Sequence, residues 1–201
     1  MSKKYYRKDK LCPNDFLIKN QILQIRQYLN QQADKPQTRL NRMIIDLLLN
    51  TGLRAAEVCS LQIKDLPGYH GHLTIFICRG KGGKPRSVDI SAALSKRLVM
   101  YIEIQRQHSK PNDFLFVNER NGRQLSYRSL YSKLKIIGQH AGLPWLHPHL
   151  LRHTYAMALY ALRNDLRGVQ VQLGHNSPTT TSIYANTENE ALRQQIETLD
   201  L

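Results

Sequence analysis

Apolar residues recur at helical spacing over most of the chain and predict a mostly helical protein. The clearest helix begins near Thr38, and its Ile44, Ile45 and residues 47–49 are expected to be fully buried. It ends at Gly52, because glycine accepts the left-handed conformation of a helix C-cap. An earlier helix is capped by Asn14. Its imperfect apolar stripe consists of Phe16, Leu17, Leu23, Ile25 and Leu29. The predicted helices cover residues 14–30, 38–51, 54–61, 91–107, 126–142, 148–162, 166–173 and 188–201.

Short strands are predicted where the helical spacing is interrupted. Residues 73–78 alternate in polarity and are rich in β-branched side chains, and residues 87–90 form a partner strand after a glycine-rich basic turn at 79–86. Residues 113–117 predict a further short strand. The expected fold class is therefore α+β in a single domain, mostly helical with a small antiparallel β-sheet.

The charge distribution points to a polyanionic partner. The 201 residues carry 29 Lys and Arg against 15 Asp and Glu, a net charge of +14 at pH 7. Residues 188–201 carry net −3, so the rest of the chain carries +17. A basic body of this kind most often binds nucleic acid. A membrane surface is the weaker alternative, because no basic helix presents Trp and Phe on an apolar face.

Cysteine usage and hydropathy indicate a cytoplasmic protein. Cys12, Cys59 and Cys78 are odd in number and widely spaced, which argues for reduced thiols rather than a disulfide framework. The longest apolar runs fall far short of the ~20 residues that a membrane-spanning helix needs. No apolar segment follows the basic first residues, so no secretory signal is predicted.

The densest candidate chemistry lies in the segment 147–154, where helical spacing places His149, Arg152 and His153 on one side of a helix. A zinc site is one interpretation, but the metalloprotease motif needs Glu beside its first His, and position 150 is Leu. An arginine between two candidate ligands also repels a dication. The other interpretations are an ordinary polar helix and an anion site, in which arginine and imidazole at the positive end of a helix bind phosphate oxygens.

Two further segments are ambiguous when taken alone. Arg54 starts a predicted helix with Glu57 one turn later, which is typical of a surface ion pair. The turn 79–86 is not a nucleotide-binding P-loop, because Cys78 stands where the first glycine is required and Pro85 where Ser or Thr is required. Its cations would either contact a nucleic-acid groove or remain solvated. These cations are Arg79, Lys81, Lys84 and Arg86.

Taken together and in this order, six residues resemble the catalytic set of the tyrosine recombinase (phage integrase) family. They are Arg54, Lys81, His149, Arg152, His175 and Tyr184. Their contexts are also similar to the boxes of that family: TGLRAAE at 51–57, GKG at 80–82, HLLRH at 149–153, and LGH at 173–175 followed nine residues later by the tyrosine. The resemblance runs from about residue 14 to 186 and implies the catalytic-domain fold of the family, similar in extent to the fimbrial phase-variation invertases.

This resemblance implies that DNA strands are cut and rejoined through a 3′-phosphotyrosyl intermediate, with no metal or other cofactor. Tyr184 would be the nucleophile, and His149 is the candidate base for its proton. Lys81 would protonate the departing 5′ oxygen.

Of the remaining site residues, some would bind the phosphate and the others would orient the residues that bind it. Arg54 and Arg152 would each bind non-bridging oxygens and neutralise charge in the transition state. His175 would donate a hydrogen bond to the phosphate. Glu57 would orient Arg54, and His153 would support packing or orientation rather than chemistry.

The expected organisation has three parts. Residues 1–12 form a basic flexible arm, residues 13–187 a catalytic domain, and residues 188–201 an acidic helix, with no N-terminal clamp domain before them. The acidic helix has an apolar stripe that would dock on a neighbouring subunit or on its own core. The stripe consists of Leu192, Ile196 and Leu199.

The expected partners are double-stranded DNA and a helper DNA-binding factor, and the protein is expected to form a homo-tetramer on paired DNA sites. Arg79, Lys84 and Arg86 are the predicted DNA-binding residues. The family also implies a mobile-element setting and a nucleoid-associated cytoplasmic location. Two alternatives to a site-specific recombinase remain at this point: a type IB-like DNA topoisomerase with the same nucleophile, and a non-catalytic DNA-binding regulator.

Overall fold

The computed structural model describes residues 15–66, 74–77, 85–163 and Leu173, and for Arg163 the backbone alone. Six α-helices, one pair of strands and a single-turn 3-10 helix (Ile63–Asp65) make up the regular structure of this part of the chain. The helices are α1 (Lys19–Gln31), α2 (Pro36–Thr51), α3 (Ala55–Ser60), α4 (Ala92–Gln105), α5 (Tyr127–His140) and α6 (Pro148–Arg163). The strands are β1 (Thr74–Ile77) and β2 (Arg86–Asp89). The predicted fold class, mostly helical with a small antiparallel sheet, is confirmed.

Helix α2 forms the centre of the hydrophobic core. It begins at Pro36, whose ring presets the backbone angle of a first helical turn and whose missing N–H is not needed there. The side chains of Ile44, Ile45 and residues 47–49 are all buried, so the helix is covered on nearly every side. It packs against α6, α4 and α1. The core of the domain is therefore built around one apolar helix, and α6 lies directly against it.

The two strands form an antiparallel pair with a single buried face. Their register runs from Thr74 opposite Asp89 to Ile77 opposite Arg86. Ile75, Ile77 and Val88 are buried on one face. Residues 78–85 connect the strands, so Arg86 stands where the connection enters β2.

Helix α1 begins at Lys19, with Ile18 at its N-cap, four residues after the predicted cap Asn14, which lies outside the described residues. Phe16 and Leu17 precede the helix and are nevertheless buried in the hydrophobic clusters, and the Leu17 N–H donates to the Thr154 hydroxyl of α6 at 2.9 Å. Leu23 was expected on the buried stripe but is 49% exposed.

The strand predicted at 113–117 is not formed. This segment instead makes two isolated bridges, Gln62 with Phe114 and Val117 with Gln124. The predicted helices at 166–173 and 188–201 lie outside the described residues, except for Leu173. None of the helices in the described part of the chain is long and apolar enough to cross a membrane.

Gly52 ends α2 in the left-handed conformation, with φ of 61°, and its N–H donates to the carbonyl of Leu48. The prediction that it caps this helix is confirmed. A Cβ at this position would stand 2.5 Å from Cδ1 of Tyr155 and 2.6 Å from Cδ2 of Leu173. Only glycine therefore allows α6 and Leu173 to approach the end of α2 this closely.

We expect Gly52→Ala to destabilise the fold by about 3 kcal/mol or more, because backbone strain adds to overpacking. Gly122→Ala is the matched control, since Gly122 has φ of 66° and a Cβ there would meet no neighbouring group within 4 Å. That control should cost only about 1 kcal/mol. Urea unfolding of both variants measures the difference, and equal losses would contradict the close packing at Gly52.

Candidate active site

Arg54 lies at the N-cap of α3 and is held there by Glu57. Its backbone N–H donates to Glu57 Oε2 at 2.8 Å, and its Nη1 donates to Oε1 at 3.0 Å. The Glu57 side chain is 3% exposed and the Arg54 side chain 25% exposed. One buried carboxylate therefore caps the short helix and orients the arginine at the same time.

Glu57 also binds Arg86, which sequence reasoning placed among the DNA-binding residues. Arg86 Nη1 donates to Oε1 at 2.7 Å, and Nη2 donates to Oε2 at 2.9 Å. The Arg86 side chain is 13% exposed. No local pattern connects positions 29 residues apart, so the sequence contained no signal for this ion pair. A DNA contact by Arg86 stays a prediction, and in this structure its guanidinium faces Glu57.

The two arginines keep Glu57 ionised. Burial raises the pKa of the Glu57 carboxyl, but hydrogen bonds from Arg86 and the Arg54 backbone, together with both positive charges, lower it below its ordinary value. The group therefore remains a carboxylate at neutral pH.

Arg152 lies on α6 and is almost completely buried, with 5% of its surface exposed. Its Nη1 donates to the carbonyl of Gly52, and its Nη2 donates to the carbonyl of Leu173 at 2.9 Å. Gly52 is two residues before Arg54, and Leu173 is two residues before His175. Arg152 thus joins three of the sequence boxes at one place.

His149 and His153 occupy adjacent turns of α6 and meet edge to face, with ring centroids 5.0 Å apart. Burial lowers the pKa of His149, and the charges of Arg152, His147 and Arg54 lower it further. The imidazole is therefore neutral near pH 7 and can accept a proton.

His147 was in the sequence motif but had no predicted role. Its Nδ1 accepts a hydrogen bond from the Leu150 N–H at 3.1 Å, which caps the first turn of α6. Its ring stacks on that of Tyr131, with centroids 6.5 Å apart. Burial lowers the pKa of His147, which keeps Nδ1 available as an acceptor.

These side chains surround one cavity of about 260 Å³. It is lined by Leu53, Arg54, Ala55, Ala56, Tyr127, Tyr131, His147, Pro148, His149 and Arg152. Two guanidinium groups and a neutral imidazole therefore line the same small space. This combination suits an oxyanion that must be bound and a neighbouring hydroxyl that must lose a proton.

Tyr127 and Tyr131 form a wall of this cavity that sequence reasoning missed. They are one turn apart on α5, and both are substantially exposed. The sequence feature that could have predicted this wall is the spacing of the two tyrosines, which are four residues apart directly after the N-cap Ser126 and so share one face of the helix.

Several predicted site residues lie outside the described residues. They are Lys81, His175 and Tyr184 of the catalytic set, and Arg79 and Lys84 of the predicted DNA-binding set. Among the residues that the structure describes, no group of three or more His, Cys, Asp or Glu side chains could hold a metal ion.

Comparison with known proteins identifies similarity over most of the chain. Residues 15–191 match the model of the phage integrase family. The tyrosine recombinase XerA of Pyrococcus furiosus is 36% identical over 163 residues, which cover 80% of this chain and 55% of that protein. The tyrosine recombinase XerC of Haemophilus ducreyi is 34% identical over 167 residues, covering 83% and 54% respectively.

A solved structure has the same fold. The XerH site-specific recombinase, bound to its difH substrate in a pre-cleavage complex, superposes with a TM-score of 0.74 at 32% identity. The match covers 88% of this chain and 51% of that one. The chain spans about half the length of the curated relatives it matches.

The half-buried His153 predicts a pH dependence of stability. Burial, with the charges of His149 and Arg152, lowers the pKa of His153 to about 4. The pKa of a histidine in the unfolded chain is about 6.5. At pH values between this pKa and the folded one, His153 binds a proton in the unfolded chain but not in the folded protein. The free energy of unfolding should therefore decrease by about 3 kcal/mol as pH falls from about 6.5 to 4.

Urea unfolding between pH 7 and 4 measures this decrease. His153→Gln should flatten the pH dependence, whereas His108→Gln, at an exposed position, should leave it unchanged. The same slope in His153→Gln and in the wild type would show that another group is responsible.

Proposed function

The chain belongs to the phage integrase family of tyrosine recombinases, as its sequence boxes predicted, and on that basis we propose that it is a site-specific DNA recombinase. It would cut and rejoin DNA strands through a covalent 3′-phosphotyrosyl intermediate. The observation that carries the proposal is the shared cavity of Arg54, His149 and Arg152. Positions far apart in the sequence meet there in the chemical combination that phosphoryl transfer needs.

The two arginines supply the electrostatic part of the mechanism. A phosphodiester resists nucleophiles because its oxygens are negatively charged, and guanidinium groups at fixed positions stabilise the further charge of the transition state. Arg152 is held by two carbonyl groups and Arg54 by a carboxylate, so little reorganisation accompanies the reaction. His175 would add a hydrogen bond to the same oxygens.

Proton transfers complete the reaction. The Tyr184 hydroxyl attacks phosphorus and loses its proton to the neutral imidazole of His149, while the bond from phosphorus to the 5′ oxygen breaks. Lys81 gives that oxygen a proton. In the second half, a 5′-hydroxyl of the partner strand gives its proton to Lys81 and attacks phosphorus, and the displaced tyrosine takes its proton back from His149. The number of phosphodiester bonds is therefore conserved and no cofactor is consumed.

Family membership favours this function over the alternatives. The relatives named above are recombinases, XerH is bound to its difH substrate, and a structure of the Tn1549 transposon integrase with the same fold holds DNA. These complexes support double-stranded DNA as the partner. A type IB-like topoisomerase and a non-catalytic DNA-binding regulator are less consistent with these relatives. We further propose a homo-tetramer on paired sites, a helper DNA-binding factor, DNA contacts by Arg79 and Lys84, a mobile-element setting, and a nucleoid-associated cytoplasmic location.

We expect the protein to form a covalent adduct with DNA in EDTA and without ATP. The assay incubates it with supercoiled plasmid and with a random-sequence duplex library, quenches with detergent, and detects protein on 3′ ends. Tyr184→Phe should abolish the adduct, and Arg54→Ala should slow its formation about 100-fold or more. Tyr28→Phe is the matched control, because Tyr28 stacks on His140 and is not part of the cavity lining.

An adduct that persists in Tyr184→Phe would refute the nucleophile assignment. Absence of any wild-type adduct from the library would favour the regulator alternative. Sequencing the captured DNA identifies the target site for later measurements.

We propose that the acidic segment 188–201 docks on a neighbouring subunit. Its net charge of −3 opposes that of the basic body, and its apolar stripe suits a groove. Deletion of these residues should weaken tetramer formation on the captured site, measured by light scattering. A matched variant with Glu188 and Glu190 changed to Gln separates the contribution of the negative charge from that of the apolar stripe. Unchanged tetramer assembly after the deletion would contradict docking between subunits.

A further inference from the structure

The carboxylate of Glu57 is shared by two arginines from different parts of the fold. Oε1 accepts from Arg54 Nη1 and Arg86 Nη1, and Oε2 accepts from the Arg54 backbone N–H and Arg86 Nη2. All four donor-to-acceptor distances lie between 2.7 and 3.0 Å. The four lone-pair positions of the carboxylate are therefore filled, and its orientation is set from two sides.

Arg86 stands at the entrance to β2, opposite Ile77 at the end of β1. The residues that connect the two strands, 78–85, include Lys81. A two-bond fork from Arg86 to Glu57 therefore attaches the strand that follows Lys81 to the helix that begins beside Arg54. Arg54 and the first residue of β2 are thus held by the same carboxylate.

The shared carboxylate also determines the charge of the site. If Glu57 were paired with Arg54 alone, the pair would be neutral and would attract a phosphate weakly. With Arg86 added, two guanidinium groups share one carboxylate, and the buried cluster keeps a net charge of +1. Arg86 therefore contributes positive charge at the Arg54 site without needing to touch DNA.

We infer that Arg86 is a positioning residue, which fixes the orientation of Glu57 and through it the orientation of Arg54. The inference rests on the proposed function for its catalytic consequence. It gives Arg86 a role inside the protein, whereas the sequence predicted a DNA contact for this residue.

The fork geometry, and not charge alone, is what this role requires. Lysine at position 86 would keep the positive charge beside the buried carboxylate, so the fold should be retained, but an ammonium group cannot place two parallel donors on two oxygens. Arg86→Lys therefore separates the positioning role from simple phosphate attraction. Arg39→Lys is the matched control, since Arg39 makes a similar fork to Asp34 at 2.8 to 3.0 Å on an exposed surface.

The first measurement needs no DNA. The Arg54 backbone N–H is bonded to Glu57 Oε2, so its hydrogen exchange, followed by NMR, reports whether Glu57 keeps its orientation. The Val58 N–H, bonded to the Arg54 carbonyl, is the internal reference for opening of α3 itself. We expect Arg86→Lys to accelerate exchange at Arg54 at least tenfold more than at Val58 and Arg39→Lys to change neither. Unchanged exchange at Arg54 would overturn the inference, whatever the protein does to DNA.

The second measurement separates positioning from DNA binding. With the captured site at saturating concentration, Arg86→Lys should form the covalent adduct about 10- to 100-fold more slowly. Its affinity for a random-sequence duplex and the dependence of that affinity on salt should stay those of the wild type. Weaker binding with a smaller salt slope and an unchanged adduct rate would instead assign Arg86 to DNA contact. If the wild type forms no adduct, the proposed function fails, while the exchange measurement still decides how Arg86 acts.

Discussion

The buried guanidinium of Arg152 is the constraint on which the arrangement of the site depends. A buried cation must have hydrogen-bond acceptors, and Arg152 obtains them from the carbonyls of Gly52 and Leu173. These bonds bring the end of α2 and the first residue of the last sequence box to the same side of α6. The close approach at Gly52, where a side chain would collide with Tyr155 and Leu173, follows from the same arrangement. The hydrogen bonds of Arg152 and the close packing at Gly52 therefore stabilise the same arrangement of α2, α6 and Leu173.

The positive field of the cavity serves two purposes. Arg54 and Arg152 face the space where a phosphate would bind, and the same charges, after burial, lower the pKa of His149. A field that attracts an anion thus also keeps the imidazole neutral and able to accept a proton. Glu57 limits this field without cancelling it, because its single negative charge is divided between Arg54 and Arg86.

Local sequence patterns predicted the helical elements well because burial imposes their periodicity. Helix α2 is covered on nearly every side, so its density of apolar residues over 43–49 was a sufficient signal, and Gly52 marked its end. The predictions were wrong where a distant partner determined the structure. Phe16 and Leu17 were assigned to a helix, but a hydrogen bond to Thr154, 137 residues away, holds this segment outside α1. Residues 113–117 have the composition of a strand, yet the backbone at residues 61–63 offers them only irregular pairing.

The sequence by itself determined the family, the helical core and the residue types that the chemistry needs, since each of these depends on spacing within short segments. Only the tertiary structure decided which side chains meet. It placed Arg54, His149 and Arg152 around one cavity. It also placed His147 at the N-cap of α6 and paired Arg86 with Glu57. These contacts join residues 3 to 100 positions apart, and the longer ones depend on the packing of whole helices and strands, which no local pattern encodes.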